Sequence, residues 1–387
     1  MTTTDETTIT PFLIAIPQAE LEDLAARLRS TRFPAPLPGD DWDTGVPSAY
    51  LHGLVTAWAE DFDWCAFEAR LNTIPQFTTI IDGQQIHFAH VRSAVPEATP
   101  VLLTHGWPGS FLDFLHLIGP LTDPESHGGD RADAMHLVIP SLPGFGFSTP
   151  LSSAGWNTAR IAATWVELMD RLGYHRFAVQ GGDLGATISP EVARVAPEHV
   201  IGVQVNGALS FPDDMGEDAR AAMSPLDQDR LARIGKFIKE EYGYIAIQST
   251  RPGLVGVALS DSPAAQLAWM LDKFHAWTLP FETLPDQILG RDWILANASL
   301  YWFTSSGGSS AYVGYAQSSW GATPTNSGVP TAAIQFAHDV GIRSQSSQTN
   351  TIVRWKDIED RGGHFAALEE PSLLIDDLRE FLRELKK

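Results

Sequence analysis

One cysteine, Cys65, is all the thiol that this chain of 387 residues contains. An internal disulfide is therefore impossible, and so is a metal site built on several thiolates. Basic residues are also scarce: 26 Lys and Arg stand against 47 Asp and Glu, a formal charge of −21. A surplus of that sign repels phosphate backbones and anionic headgroups, so neither nucleic acid nor a membrane surface is an expected partner. No apolar run is long enough to cross a bilayer without charges or turn residues. The opening MTTTDETTITPF has neither a basic nor an apolar stretch, so no secretory signal is expected and the chain reads as soluble and cytoplasmic. Internal repeats and low-complexity tracts are absent. With 44% hydrophobic residues, 32 Gly and 26 Pro, the chain is neither disordered nor fibrous, and it is long enough for one large domain or two modest ones.

What is present changes period along the chain. Leu21, Leu24, Ala25 and Leu28 recur at helical spacing after Pro17, and SAYLHGLVTAWAEDFDWCAFEARLNT reads as one or two further helices. Around Asp82-Gly83, two β-rich runs predict a hairpin. VLLTHG and MHLVIPSLPG each place a short apolar run directly before a Gly/Pro-rich turn, which suits strands buried on both faces of a mainly parallel sheet. The helix IAATWVELMDRLGY, the strand-turn-helix RFAVQGGDLGATIS and the strand VIGVQVNG continue the alternation of an α/β layered fold. Residues 208–325 then read as helical, before TAAIQF and TIVRWKDIED restore strands and PSLLIDDLREFLRELKK closes the chain as an amphipathic helix. The expected organisation is an N-terminal helical and meandering extension (1–76), an α/β core (77–207 and 326–387) and a helical cap (208–325) over the carboxyl ends of the strands, where open α/β sheets place ligands.

The most informative segment is Gly181-Gly182-Asp183-Leu184-Gly185. An isolated Gly-x-Asp-x-Gly is far more often an ordinary turn. Here a strand precedes it and a helix follows, the context of the nucleophile elbow of α/β-hydrolases with Asp183 in place of serine. A carboxylate is already ionised at neutral pH and can displace a leaving group at saturated carbon, giving an alkyl ester that water must cleave. That chemistry points to epoxides or alkyl halides rather than to esters. His105-Gly106-Trp107-Pro108-Gly109-Ser110, directly after a strand, sits where such folds supply an oxyanion-hole N–H; the donors would be Trp107 and Leu184. His364, after Gly362-Gly363 and before the last helix, fits the base that activates water, and Asp339, after the TAAIQF strand, fits its orienting acid. The order nucleophile, acid, histidine is that of α/β-hydrolases. His87 and His90 read as structural, and Gly144-x-Gly146 lacks the third glycine and the helix of a dinucleotide site.

These blocks together resemble the epoxide hydrolases of the microsomal and juvenile-hormone type. The similarity runs nearly end to end, through PFLIAIPQAELEDLAARLRSTRFP, FDWCAFEARLNTIPQF, HGWPGS, LPGFGFS, GGDLGA, LYW and RGGHFAALEEP. The resemblance implies the α/β-hydrolase fold, Asp183 as nucleophile, His364-Asp339 as the base pair, Trp107 and Leu184 at the substrate, no metal or cofactor, and an epoxide and water as the reacting partners. It also implies two tyrosines that donate to the epoxide oxygen, since ring opening makes an alkoxide and a phenol offers the needed proton. Tyr244 matches the first. At the second position an ungapped match to Ser309-Ser310-Ala311-Tyr312-Val313-Gly314-Tyr315 gives Gly314; Tyr312 or Tyr315, the latter taken as the candidate, serves if the local helix shifts, or else one donor suffices or activity is altered. Leu184 also departs from the tryptophan that relatives often carry there. Both departures predict a specialised, bulky substrate. The alternatives are a haloalkane dehalogenase-like hydrolase, for which Leu184 removes the usual indole beside the nucleophile, and a silent hydrolase-fold binding protein, which has no need of Asp183, Asp339 and His364 together. A homo-oligomer is compatible with the sequence.

Overall fold

The computed structural model describes residues 7–209, 220, 222–317 and 324–386. Asp82 and Gly83 both take positive φ (52° and 70°), the pair of left-handed residues that a two-residue hairpin loop requires. They join β2 (Gln76–Ile81) to β3 (Gln84–Val91), as the sequence predicts. Outside this hairpin lies β1 (Thr10–Phe12), antiparallel to β2. Three residues are too few to show an alternating pattern, so this strand was not expected in the N-terminal extension; it joins the extension directly to the sheet.

The remaining strands are β4 (Thr99–Thr104), β5 (Met135–Pro140), β6 (Phe177–Gly181), β7 (Val200–Asn206), β8 (Pro330–Gln335) and β9 (Thr351–Asp357). Among the described residues nine strands form one sheet in the order β1-β2-β3-β5-β4-β6-β7-β8-β9. Pairing is antiparallel from β1 to β5 and parallel from β5 through β9. The central strands carry continuous apolar runs because both their faces are covered: Leu102, Leu103, Leu137, Val138 and Val205 expose no surface.

Helices α1 (Gln18–Arg29), α2 (Ser48–Glu60) and α3 (Trp64–Leu71) precede the hairpin. Helices α4 (Leu115–Thr122), α5 (Thr158–Arg171) and α6 (Leu184–Val195) alternate with the parallel strands. Between β7 and β8 the described residues hold helices and no strand: α7 (Pro225–Glu240), α8 (Gly243–Thr250), α9 (Pro252–Asp261), α10 (Pro263–Trp277), α11 (Arg291–Phe303) and α12 (Ser306–Ala316). Parts of the expected 208–325 segment, residues 210–219, 221 and 318–323, lie outside the described residues. The extension is tied to this helical region by the Trp58 indole N–H, which donates to Ser299 Oγ at 2.8 Å. The chain ends with α13 (Arg343–Thr349), α14 (Ala366–Glu369) and α15 (Pro371–Leu385), whose Leu374, Leu378, Phe381 and Leu382 are buried as their helical spacing predicts. No helix among the described residues is long and apolar enough to cross a membrane.

Candidate active site

The turn between β6 and α6 holds Asp183 at φ 54° and ψ −119°. A non-glycine residue there stores of order 1–3 kcal/mol of backbone strain, which persists only where the surroundings over-determine it. They do so here. A Cβ on Gly181 would lie 2.6 Å from the backbone of Gly185, and one on Gly185 would run into the carbonyl oxygen of Thr104 on β4. The two glycines therefore allow the strand and helix to close tightly on the bend, which lifts the carboxylate off the sheet.

The loop after β4 meets that carboxylate. Trp107 N–H donates to Asp183 Oδ1 at 2.8 Å, and the Leu184 N–H also supports the charge. The loop is anchored from α11: Asn297 Nδ2 donates to Pro108 O at 2.8 Å and Tyr301 Oη donates to Gly109 O at 2.7 Å. Gly106 faces the Asp183 side chain so closely that any Cβ would overlap it.

His364 arrives from the loop after β9. Gly362 turns that loop at φ 74°, and His364 N–H donates to Trp277 O at 2.9 Å. Its Nε2 lies 3.2 Å from Asp183 Oδ2, within ion-pair range but off the line of a good hydrogen bond. Burial would raise the Asp183 pKa, but the facing His364 and the N–H groups of Trp107 and Leu184 outweigh it and hold the carboxyl below its ordinary value. Burial likewise pulls His364 down, and Asp183, then Asp339, more than compensates, so the imidazole sits above its ordinary value. Asp339 is buried, with Oδ2 accepting from Phe336 N–H at 2.8 Å, and it acts on His364 through its charge. Burial pushes its own pKa up to about 6.

Tyr244, on α8, stacks on Trp107 (centroids 5.1 Å apart, planes at 13°) and packs against Trp277 at 5.5 Å. Burial and the nearby Asp183 push its phenol well above the ordinary value, so it is held neutral. Tyr315, the candidate second donor, lies on the surface. Helix α12 runs unbroken through Gly314, and no shift brings Tyr315 inward: it is 52% exposed and packs beside Tyr312. Tyr312 Oη instead accepts from Gly155 N–H at 3.4 Å. Gly314 is the residue turned toward α8, where a Cβ would meet Ser249 Oγ at 3.2 Å, so α8 fills the space beside it.

A cavity of about 40 Å³ lies against the elbow, lined by Asp183, His364, Asp113, Asn206, His105 and Trp107 among others. At 10–15 Å³ per water it has room for about three. Asp113, Asn206, Trp277 and Glu369 were not anticipated. Glu369 accepts from Leu279 N–H (3.2 Å) and Phe365 N–H (2.9 Å), bracing the histidine loop, and burial raises its pKa to about 7. Only Asp113 left a local signal, as the fourth residue of a Ser-x-x-Asp capping box begun by Ser110.

A mainly parallel sheet with a strained strand-to-helix turn and a late histidine over it defines an α/β-hydrolase, here with a carboxylate at the turn. Residues 99–235 match the family model for the alpha/beta hydrolase fold, and residues 9–114 match that for the epoxide hydrolase N terminus. A putative epoxide hydrolase of Stigmatella aurantiaca is 43% identical over 98% of this chain and 86% of its own. Epoxide hydrolase 1 of Oryctolagus cuniculus is 33% identical over 98% and 89%. The crystal structure of juvenile hormone epoxide hydrolase from Bombyx mori superposes with a TM-score of 0.89 at 31% identity, over 98% of this chain and 95% of that one. The chain belongs to the epoxide hydrolase family.

Proposed function

We propose that the protein converts an epoxide and water to a vicinal diol through an ester on Asp183. The observation that carries this reading is the Asp183 carboxylate at a strained elbow, with the Trp107 N–H at 2.8 Å on one oxygen and His364 Nε2 at 3.2 Å from the other. Asp183 attacks one ring carbon as its C–O bond breaks, and the departing oxygen takes the proton of the Tyr244 phenol. Forming the ester removes the Asp183 charge that raises the His364 pKa, so that pKa falls before the imidazole acts as base. Water then loses a proton to His364 and adds to the Asp183 carboxyl carbon. The N–H groups of Trp107 and Leu184 receive the oxyanion. Collapse releases the diol oxygen, which takes the proton from His364, and the proton left on the Asp183 carboxyl returns to the Tyr244 phenolate. Asp339 orients and charges the imidazole.

The N-terminal extension (1–76), the α/β core (77–207 and 326–387) and the helical cap (208–325) are the division we assign, with Tyr244 as the cap's contribution to the chemistry. A cytoplasmic location accords with the single, free and exposed Cys65. The test is one turnover of excess enzyme on styrene oxide in heavy-oxygen water. The Asp183 peptide should gain solvent oxygen while the first diol carries oxygen from the enzyme. An unlabelled peptide with solvent oxygen in the diol would refute the ester route.

A further inference from the structure

Asp113 is a half-buried carboxyl on the wall of the cavity beside Asp183 and His364 that the steps above do not use. It comes from the single 3-10 turn Phe111–Phe114, which directly follows the Trp107 loop. Its Oδ1 accepts from Ser110 N–H at 3.1 Å, and its Oδ2 rests against Gly109, where any Cβ would overlap it. The loop that supplies an N–H to Asp183 thus also carries a second carboxyl into the same 40 Å³ space as Asp183 and His364.

The other polar side chains named on that wall are already engaged. His105 Nδ1 donates to Gly106 O at 3.0 Å and its Nε2 accepts from Leu142 N–H at 3.2 Å. Asn206 Oδ1 accepts from Gln180 Nε2 at 3.0 Å. A water that attacks the Asp183 carboxyl carbon needs two acceptors. His364 takes one hydrogen; a second acceptor must hold the other so that a lone pair points at carbon.

We propose that Asp113 is that second acceptor, a positioning residue that holds the hydrolytic water against His364. This rests on the ester route proposed above. Burial raises its pKa to about 8; the Ser110 N–H and the His364 charge oppose the rise and Asp183 adds to it, which favours the neutral acid. A neutral acid still accepts a hydrogen bond, yet puts no second negative charge beside the Asp183 carboxylate, which would disfavour the ionised nucleophile.

The experiment compares Asp113→Ala and Asp113→Asn with the unmodified protein in rapid-quench single turnovers on styrene oxide. Ester on the Asp183 peptide and diol are both followed by mass. In Asp113→Ala, ester hydrolysis should slow at least 30-fold while ester formation slows less than threefold, so the ester accumulates. In Asp113→Asn the amide oxygen still accepts, and hydrolysis should slow less than tenfold. Three results overturn the assignment: Asp113→Ala clearing its ester within threefold of the unmodified rate; both steps falling in proportion, the mark of a purely structural role; or Asp113→Asn as slow as Asp113→Ala, the mark of a group needed as a carboxylate. Turnover in heavy-oxygen water that leaves the Asp183 peptide unlabelled and puts solvent oxygen in the first diol refutes the ester route itself, and with it the water that Asp113 would hold. An ester that forms and is cleared equally fast without Asp113 refutes only the positioning role.

Discussion

Tyr244→Phe removes one hydroxyl and nothing else from the aromatic wall above Asp183. The phenyl ring keeps the stack on Trp107 and the contact with Trp277, so the loss falls on the proposed proton donor. Its size follows from how the donor is held. The phenol is desolvated and sits in the field of Asp183, which keeps it protonated well beyond pH 10. Gly314, at the ungapped position of the second tyrosine in the resemblance, has no side chain to donate, and Tyr315 faces solvent. A lone positioned acid contributes on the order of 10²–10⁴ in rate, about 3–5 kcal/mol at 1.36 kcal/mol per factor of ten. Without a second phenol, the upper half of that range is expected. The assay is rapid-quench measurement of ester formation on styrene oxide, with hydrolysis of the accumulated ester measured separately. Ester formation should fall at least 10³-fold. A fall of less than tenfold would show that the alkoxide draws its proton from elsewhere, and the single-donor reasoning would fail.

His364→Gln should let the ester form and persist, visible as a stable mass increase on the Asp183 peptide, because no base remains to activate water. Asp339→Asn should slow ester hydrolysis and move its acid limb to lower pH. The Asp339 charge raises the His364 pKa, so neutralising it lets that pKa fall and the imidazole stays neutral further into acid; a limb that moves up in pH would contradict the assigned direction. Gly185→Ala pushes a methyl group into the Thr104 carbonyl, and overpacking of this kind costs about 1–3 kcal/mol, readable as a lower midpoint in thermal denaturation.

Much of this protein was legible from residue order alone, because the signals are local. Continuous apolar runs ending in Gly/Pro turns mark strands covered on both faces, and β4 to β7 lie where those runs lie. Asp82-Gly83 specified its own hairpin through the φ values both residues accept. The elbow was readable because tight closure of strand on helix demands glycine at fixed offsets from Asp183. Helix α15 announced itself by period.

Only the tertiary structure decided matters that depend on which distant segments meet. Trp277, from the end of α10, holds the His364 backbone and borders Tyr244, yet nothing near it in the chain marks that role. β1 is too short for periodicity and exists because β2 offers it an edge. The phase of α12 settled that Gly314 faces α8 while Tyr315 looks out, a rotation of one residue that motif spacing does not resolve. Asp113 was not read from the sequence; its raised pKa comes from burial in the assembled fold. Chemistry carried by residue type and local spacing is written along the chain; the electrostatic environment of each group is set by neighbours that only folding brings near.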